Sequence, residues 1–326
     1  MKNEYDIIIV GAGPIGLACG IAAKNEGLSY VIIDKGTLVN SLYHYPNGMT
    51  FFSTSEKLEI GGVPFISHNP KPTRLEALEY YRRVATSQEL NTVLYNSVES
   101  INKTADKFKL ITQKGELMAS NVILSTGFYD LPHKLGIEGE ELSKVAHYYK
   151  EPHPYFDQRV AIVGAANSAV DAALECYRKG AKEVTMVIRE EAIRDTVKYW
   201  VKPDIENRIK EGSIKAYFKS QLTAIRPDEI DIKTPDQDLT IKNDFVLAMT
   251  GYEPDYDFIK KIGVAIQEEY PFAPVYNEET METNVQGLYL AGVICGGMQT
   301  NKWFIENSRV HADMIVQHIS NSVVSQ

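Results

Sequence analysis

A glycine-rich segment close to the start of the sequence sets strict requirements on the fold. GAGPIG at residues 11–16 follows the apolar run from Tyr5 to Val10 and opens a helical stretch that extends to Glu26. The next strand-like run ends in Asp34, 23 residues after the first glycine. Glycines allow a tight turn, a helix N-terminus attracts a pyrophosphate, and an acidic side chain at this distance accepts hydrogen bonds from a ribose. The segment therefore predicts a dinucleotide-binding βαβ unit.

A second βαβ pattern lies in the middle of the chain. A strand-like run leads into GAANSA at residues 164–169, a helical stretch follows, and the next strand-like run ends in Arg189. Only one glycine of the motif remains, so a purely structural repeat is the alternative interpretation. Arg189 stands where the first copy has Asp34, and a guanidinium group binds a 2′-phosphate that a carboxylate repels. Arg194 is a candidate second arm, although either arginine could be a solvated loop charge. The two copies predict FAD at the first turn and NADPH at the second.

The order of elements predicts an α/β fold with two Rossmann-like dinucleotide-binding domains. Two later apolar strands each end in Thr-Gly, at residues 126–127 and 250–251, and each follows a β-rich stretch. Such paired strand ends indicate where the chain passes from one domain to the other. We therefore expect a discontinuous FAD-binding domain at residues 1–128 and 250–326, with an NADPH-binding domain at residues 129–249 inserted into it.

Two further elements are expected outside the βαβ units. Alternation of apolar and polar residues predicts a strand over residues 93–101. Apolar residues at spacings of seven, three and four predict a C-terminal helix from about residue 301 to 319, with one buried face.

Composition narrows the functional class. The chain has 326 residues, of which 44% are hydrophobic and 24% charged, as in a globular enzyme. Its net charge of −9 argues against binding to nucleic acid or to an anionic membrane surface. The uncharged run at residues 7–23 could be mistaken for a membrane segment, but acidic residues precede it and glycines interrupt it. We expect a cytoplasmic enzyme that binds neither nucleic acid nor membrane.

The three cysteines exclude several kinds of redox site. Cys19, Cys176 and Cys295 form no C-x-x-C pair, so a dithiol relay, an iron–sulfur cluster and a zinc site are not expected. Cys19 and Cys176 lie in helical stretches and are predicted to be core residues. Cys295 is the one weak candidate for a catalytic thiol, and the alternative is a small residue that fills a loop. No catalytic acid or base can be assigned, and no metal site is expected.

The motifs together resemble a known group of flavoproteins. GAGPIG near the start, STG and MTG at the two strand ends and GLYLAG at residues 287–292 resemble the thioredoxin-reductase-like proteins with two dinucleotide-binding domains. Longer segments resemble the YpdA-like branch of bacillithiol-disulfide reductases. They are MTFFST from Met49, HYYKEPHPY from His147, KYWVKPDIENRI from Lys198, and AGV with FIEN between Ala291 and Asn307. The resemblance covers essentially the whole chain.

The resemblance implies an FAD-dependent oxidoreductase that takes hydride from NADPH and reduces a low-molecular-weight disulfide such as bacillithiol disulfide. It also implies a homodimer. Three alternatives stay open: a flavin reductase for a ferredoxin- or flavodoxin-type carrier, a flavin monooxygenase, and a redox-sensing flavoprotein. By analogy with the group, the C-terminal helix should begin near the flavin pyrimidine ring, where its dipole would stabilise negative charge at N1.

Two departures from the family pattern concern the site itself. Most proteins of the wider group have aspartate after the last strand, whereas this chain has Val293, as does the YpdA-like branch. Many members of that branch carry a cysteine inside the first glycine turn, where this chain has Ile15. The acceptor therefore stays open even though flavin chemistry is expected.

The candidate cofactor residues follow from the motifs and the resemblance. Those expected to bind FAD are Gly11, Gly13, Pro14, Ile15, Gly16, Asp34, Lys35, Thr50, Thr54, Thr126, Gly127, Gly292 and Val293. Those expected to bind NADPH are Gly164, Ala166, Asn167, Ser168, Arg189 and Arg194.

Overall fold

The structure is a computed structural model that describes residues 3–104 and 106–324. The chain forms two compact units. The first unit contains the described residues up to His44, then Met49–Leu131, and the chain from Tyr252 onwards; the second contains Tyr45–Gly48 and Pro132–Gly251. The short excursion at Tyr45–Gly48 has no counterpart in the sequence patterns. That each unit binds a dinucleotide stays a prediction.

The strands are short and spread along the whole chain. In chain order they are β1 Glu4–Val10, β2 Tyr30–Ile33, β3 Thr92–Val93, β4 Val98–Lys103, β5 Phe108–Thr112, β6 Gly115–Leu124, β7 Leu131–Pro132, β8 Val145–Ala146, β9 Arg159–Val163, β10 Glu183–Val187, β11 Lys215–Tyr217, β12 Gln221–Ile225, β13 Glu229–Lys233, β14 Asp238–Lys242, β15 Phe245–Ala248, β16 Tyr252–Glu253 and β17 Leu288–Leu290.

The helices alternate with these strands. They are α1 Pro14–Asn25, α2 Asn40–His44, α3 Arg74–Ser87, α4 Asn167–Arg178, α5 Lys202–Lys210, α6 Tyr256–Lys261, α7 Ile305–Ser308 and α8 His311–Val324, with short 3₁₀ helices at Glu56–Leu58, His153–Tyr155 and Gly292–Gly296. Among the described helices, none combines the length and the apolar character that crossing a membrane requires.

The first unit is built on a seven-stranded sheet with β1 near its middle. The strands β3, β2, β1 and β6 are neighbours in that order and run parallel, and β17 also pairs with β6 in parallel. On the other side of β6, β5 pairs with it in antiparallel orientation, and β4 pairs with β5 in the same way. The first glycine turn leaves the carboxyl end of β1, which is where open α/β sheets bind ligands.

The second unit repeats this arrangement on a smaller scale. Five parallel strands lie in the order β11, β10, β9, β15 and β8, and the second glycine turn leaves the carboxyl end of β9. A separate antiparallel sheet contains β12, β13 and β14. The α/β class and the βαβ patterns at both turns are therefore confirmed.

Burial explains why the uncharged run at residues 7–23 is not a membrane segment. Ile7, Ile8 and Ile9 are fully buried in the sheet. Helix α1 is buried over nearly its whole length because it contacts both the strands β1 and β2 and the C-terminal helix α8. Apolar side chains on both faces of β1 and around α1 are needed for this sandwiched position.

Two sequence-based expectations are wrong in detail. The strand expected over residues 93–101 is broken, because Tyr95 has a positive φ of 52° and the Asn96 N–H turns to donate to the Asp34 carbonyl. The helix expected from residue 301 to 319 begins later and is split into α7 and α8. Where α7 ends, the Phe304 carbonyl oxygen accepts two hydrogen bonds, from the Ser308 N–H at 3.0 Å and from Ser308 Oγ at 2.5 Å, a local side-chain bond of the kind that bends helices.

Candidate functional site

The first glycine turn, residues 11–16, is held tightly by the strand beside it. Gly11 has a φ of +110°, and a Cβ there would lie 2.5 Å from the Ser125 carbonyl oxygen. A Cβ on Gly16 would lie 1.9 Å from the Gly11 carbonyl oxygen. The Ser125 hydroxyl closes the arrangement by donating to the Gly11 carbonyl at 2.9 Å. Gly11 and Gly16 are therefore required by packing within the protein.

Gly13 differs from the other two glycines of this turn. A Cβ built there would meet nothing within 4 Å, although the backbone has an ordinary φ of −71°. Gly13 is the N-cap of α1, Pro14 occupies the first helical turn, and no side chain of the described residues caps the helix. Open space thus lies above backbone N–H groups that have no partner within the helix. A pyrophosphate fits this space and the partial positive charge of the helix end.

Asp34 ties the end of β2 to the first turn. Its Oδ2 accepts from the Ala12 N–H at 2.7 Å, and its Oδ1 accepts from the Gly36 N–H at 2.8 Å. Burial raises the pKa of Asp34, an effect that these two backbone donors oppose. Each carboxylate oxygen keeps a lone pair for a ribose hydroxyl. The neighbouring Lys35 forms an ion pair with Asp130 at 2.9 Å.

Residues from two other parts of the first unit come together beside the first turn. Gly292 has a φ of +86°, and a Cβ there would lie 3.2 Å from Cγ1 of Ile15. The Val293 side chain lies 3.8 Å from the Cβ position of Gly127, which has a φ of +72°. The structure thus brings Ile15, Gly127, Gly292 and Val293 close to one another, as expected for one site.

His311 also belongs to this cluster, although no sequence pattern indicates it. Its Nδ1 accepts a hydrogen bond from the Gly292 N–H at 3.1 Å, and Trp303 packs edge-on against its ring. Burial, followed by the charge of Lys302, lowers the pKa of His311 to about 4. The imidazole is therefore neutral at pH 7 and can accept this hydrogen bond. His311 fixes the turn that carries Gly292.

The threonines predicted to bind FAD lie in different places. Thr126 follows the buried Ser125 at the end of β6 and is partly exposed beside Gly127. Thr50 forms an isolated antiparallel bridge with Thr73, the N-cap of α3. The Thr54 carbonyl accepts from the Lys57 N–H at the start of a 3₁₀ helix. Their role in binding stays a prediction.

All three cysteines are free thiols and all are buried. Burial raises the pKa of Cys19 and of Cys176 to about 12, and it raises the pKa of Cys295 further. A protonated, inaccessible thiol is a poor nucleophile. The core positions predicted for Cys19 and Cys176 are confirmed, and the burial of Cys295 favours its interpretation as a space-filling residue.

The second glycine turn, residues 164–169, reproduces the geometry of the first. Gly164 has a φ of +130°, and a Cβ there would lie 2.5 Å from the Met249 carbonyl oxygen. Ala166 is the N-cap of α4 with extended backbone, and within the described chain no side chain caps this helix either. Ser168 is exposed in the first turn of α4. A helix N-terminus with unpaired N–H groups is thus present in the second unit as well.

A loop after β10 is fastened over the second turn. The Arg194 N–H donates to the Ala165 carbonyl at 3.2 Å. The Asn167 side chain is used twice: its Nδ2 donates to the Thr196 carbonyl at 3.1 Å and its Oδ1 accepts from the Lys198 N–H at 2.9 Å. Asn167 therefore holds the loop that carries the arginines. A direct bond from Asn167 to the cofactor stays a prediction.

Both predicted 2′-phosphate ligands contact one carboxylate. Glu190 Oε1 accepts from Arg194 Nε at 3.0 Å and Nη2 at 2.5 Å, and it lies 3.4 Å from Arg189 Nε. Burial is the largest single influence on Glu190 and opposes its ionisation, but the hydrogen bond from Arg194, a backbone hydrogen bond and the charges of both arginines together lower the pKa of the carboxyl. Glu190 was not among the residues predicted from the sequence, although its position directly after Arg189 is a signal that could have indicated it.

Comparison with known proteins identifies the family. The sequence pattern of the pyridine nucleotide-disulphide oxidoreductases matches residues 8–292, which include both glycine turns. This chain belongs to that family. Its α/β fold with two Rossmann-like domains, predicted from the sequence, is confirmed, and membership implies flavin and nicotinamide cofactors.

Three relatives match this chain over nearly its whole length. It is 45% identical over 315 residues to the bacilliredoxin reductase Bdr of Bacillus subtilis (strain 168), covering 96% of this chain and 97% of the relative. The solved bacillithiol disulfide reductase Bdr (YpdA) from Staphylococcus aureus is 40% identical with a TM-score of 0.96, covering 98% of this chain and 99% of that one. The enzyme of that name from Bacillus cereus is 42% identical with a TM-score of 0.95 and the same coverage. The resemblance to the YpdA-like branch is confirmed.

Proposed function

We propose that this oxidoreductase uses FAD and NADPH to reduce a bacillithiol-type disulfide. In balanced form, NADPH, a proton and one disulfide give NADP⁺ and two thiols. The observation that carries the proposal is the pair of glycine turns, each opening a helix whose first N–H groups no described side chain caps. Bound flavin would relay the hydride electrons from the nicotinamide to the acceptor, chemistry that no side chain supplies.

The residues of the first unit suit a tightly held FAD. The open space over Gly13 admits a pyrophosphate to the N-terminus of α1, and the Asp34 carboxylate can accept ribose hydroxyls. Gly292 and Val293 replace the usual Gly-Asp pair, so no carboxylate is supplied after β17. The buried His311 keeps the Gly292 backbone in place by accepting its N–H at Nδ1.

The residues of the second unit suit NADPH. The N-terminus of α4 is open to a pyrophosphate, and Arg189 and Arg194 present guanidinium groups on the loop fastened above it. The side chains of Arg189 and Arg194 are 70% and 45% exposed, so both are accessible to a 2′-phosphate. Bidentate binding of phosphate by arginine supports NADPH over NADH.

The electron acceptor is inferred from the names of the relatives, which indicate two different acceptors for a reductase. The structural relatives are named for bacillithiol disulfide, a small molecule, and the sequence relative for bacilliredoxin, a protein. We favour the small disulfide. Ile15 packs against Gly292 and supplies no thiol, so reduction of the disulfide would proceed without a cysteine in the first turn. We further propose a cytoplasmic location, because three free thiols suit a reducing compartment. We propose a homodimer from the resemblance to the thioredoxin-reductase-like group.

Anaerobic NADPH oxidation by the purified flavoprotein, with and without bacillithiol disulfide, tests the proposal. Sustained oxidation that depends on the disulfide is expected. Rapid loss of the oxidised flavin absorbance followed by a halt would retain both nucleotide sites and reject the small disulfide, leaving a protein carrier or oxygen as acceptor. An Ile15→Cys variant tested in parallel shows whether a thiol at this position increases disulfide-dependent turnover.

A further inference from the structure

The loop after β10 contains two adjacent glutamates with different surroundings. Glu190 turns toward the arginines above the second glycine turn, whereas Glu191 pairs with Lys219 at 2.5 Å and is exposed. The backbone of Glu190 is fixed, because its carbonyl accepts from the Lys219 N–H at 3.0 Å. The Glu190 side chain is 27% exposed and that of Glu191 is 79% exposed. The two neighbours thus form a natural test residue and control.

The contacts of Glu190 converge on a single oxygen. Nε and Nη2 of Arg194 and Nε of Arg189 all approach Oε1, at 3.0, 2.5 and 3.4 Å. These guanidinium N–H groups are the ones that a 2′-phosphate would need. The Glu190 carboxylate therefore occupies hydrogen-bond donors of the two arginines that are predicted to bind the 2′-phosphate of the cofactor.

From this arrangement, which rests on the proposed NADPH site, we propose that Glu190 sets the preference between NADPH and NADH. Its carboxylate holds the two guanidinium groups in place while the site is free, and it competes with the 2′-phosphate for their N–H groups. A bound 2′-phosphate must share or displace this carboxylate and stand close to its negative charge. NADH carries a hydroxyl at that position, makes no such demand and avoids this repulsion.

Replacement of Glu190 by glutamine isolates the charge. Glu190→Gln keeps the size of the side chain and one acceptor oxygen for Arg194, so the guanidinium groups stay near their positions. We expect the dissociation constant of NADP⁺ to fall about twofold to fivefold, the upper part of the range for a partly exposed charge interaction, while that of NAD⁺ stays nearly unchanged. The matched control Glu191→Gln should leave both constants unchanged.

The experiment is calorimetric titration of NADP⁺ and NAD⁺ into the oxidised holoenzyme, comparing wild type with the two variants. Selective tightening of NADP⁺ in Glu190→Gln alone supports the proposal. Equal effects in the two variants, tightening of both nucleotides together, or weaker binding of either nucleotide in Glu190→Gln would overturn it. Weakening of NAD⁺ alone would identify Glu190 as a ribose ligand.

Failure of the proposed function would be seen separately. The same preparations are mixed with NADPH and with NADH under nitrogen, and the flavin absorbance is followed. If neither nucleotide reduces the wild-type flavin while NADP⁺ still binds, the oxidoreductase assignment fails and the role of Glu190 in nucleotide choice stands or falls by calorimetry. Absence of NADP⁺ binding to the wild type overturns both.

Discussion

Replacing Gly13 by alanine should weaken flavin binding while leaving the fold intact. The backbone at Gly13 has a φ of −71°, which alanine adopts freely, and its Cβ would meet no protein atom within 4 Å. Alanine reduces the entropy of the unfolded chain but is a poorer N-cap than glycine, and these two effects oppose each other. We expect the free energy of unfolding of the apoprotein to change by less than about 1 kcal/mol.

The loss in binding follows from what the new methyl group would cover. It would occupy the open space above the first N–H groups of α1, where the pyrophosphate is placed. Displacing the phosphate weakens a charge-assisted hydrogen bond, worth about 1.5–3 kcal/mol. At about 1.4 kcal/mol per factor of ten, the dissociation constant of FAD should rise between about tenfold and 150-fold.

Gly16→Ala is the contrasting variant. Its Cβ would lie 1.9 Å from the Gly11 carbonyl oxygen and 2.7 Å from Ser125 Oγ, so α1 must move away from the turn. We expect a destabilisation of about 3 kcal/mol or more, with or without flavin. The assays are urea denaturation of the apoproteins and titration with FAD followed by flavin fluorescence. An unchanged FAD dissociation constant in Gly13→Ala, at unchanged stability, would refute the placement of the pyrophosphate over this glycine.

The remaining predictions concern three side chains. Arg189→Ala should raise the NADPH dissociation constant about tenfold or more and leave that of NADH nearly unchanged, and an equal effect on both in titration would remove Arg189 from the 2′-phosphate. His311 has an ordinary pKa of 6.5 and a folded pKa of about 4, so the unfolded chain binds the extra proton as pH falls between these values. The neutral state of His311 should therefore contribute about 3 kcal/mol to the free energy of unfolding at pH 7, at about 1.36 kcal/mol per pH unit, and this contribution should be lost by pH 4. Urea denaturation of His311→Gln at several pH values should lack this pH-dependent part. Lys144 donates to the carbonyls of Arg226, Pro227 and Asn243 at 2.7, 3.3 and 3.0 Å, so Lys144→Met should lower the free energy of unfolding by about 2 kcal/mol, and an unchanged denaturation midpoint would contradict this.

The sequence predicted the features that depend on local patterns. The βαβ unit around Gly11 is recognisable because strand, turn, helix and Asp34 follow one another within one stretch of chain. The second unit was found for the same reason, despite its thinner glycine pattern. Residues that act across long sequence separations were missed. His311 lies 19 residues from Gly292, and Ser125 lies 114 residues from Gly11, so only the folded sheet brings each pair together.

The two broken elements have a related cause. The alternation of a strand and the periodicity of a helix show which face of a segment is buried. The same apolar pattern can continue across a point where the strand or helix itself is broken. Tyr95 adopts a positive φ while its neighbours keep the alternating pattern, and the bond from Ser308 to the Phe304 carbonyl lies where the C-terminal periodicity continues. The first break involves a hydrogen bond to a distant residue, from the Asn96 N–H to the Asp34 carbonyl, and the second a bond from a side-chain hydroxyl. A pattern of apolar residues contains neither.

Comparison of the two glycine turns shows which positions of the motif must be glycine for structural reasons and which can differ. Gly11 and Gly164 both have a positive φ, and a Cβ built on either would lie 2.5 Å from a carbonyl oxygen at the end of the adjacent strand. The first glycine is therefore needed in both units. The last position differs: a Cβ on Gly16 would meet a backbone oxygen at 1.9 Å, whereas Ala169 is accommodated, with its methyl 3.3 Å from the Cβ position of Gly164. The third position differs too, since the first turn leaves open space and the second carries the methyl group of Ala166. Under the proposed function the first nucleotide stays bound through every turnover, while the second must leave after each hydride transfer. A turn that admits the closest approach of a pyrophosphate suits the resident cofactor, and a turn with an alanine at its helix N-cap suits the one that exchanges.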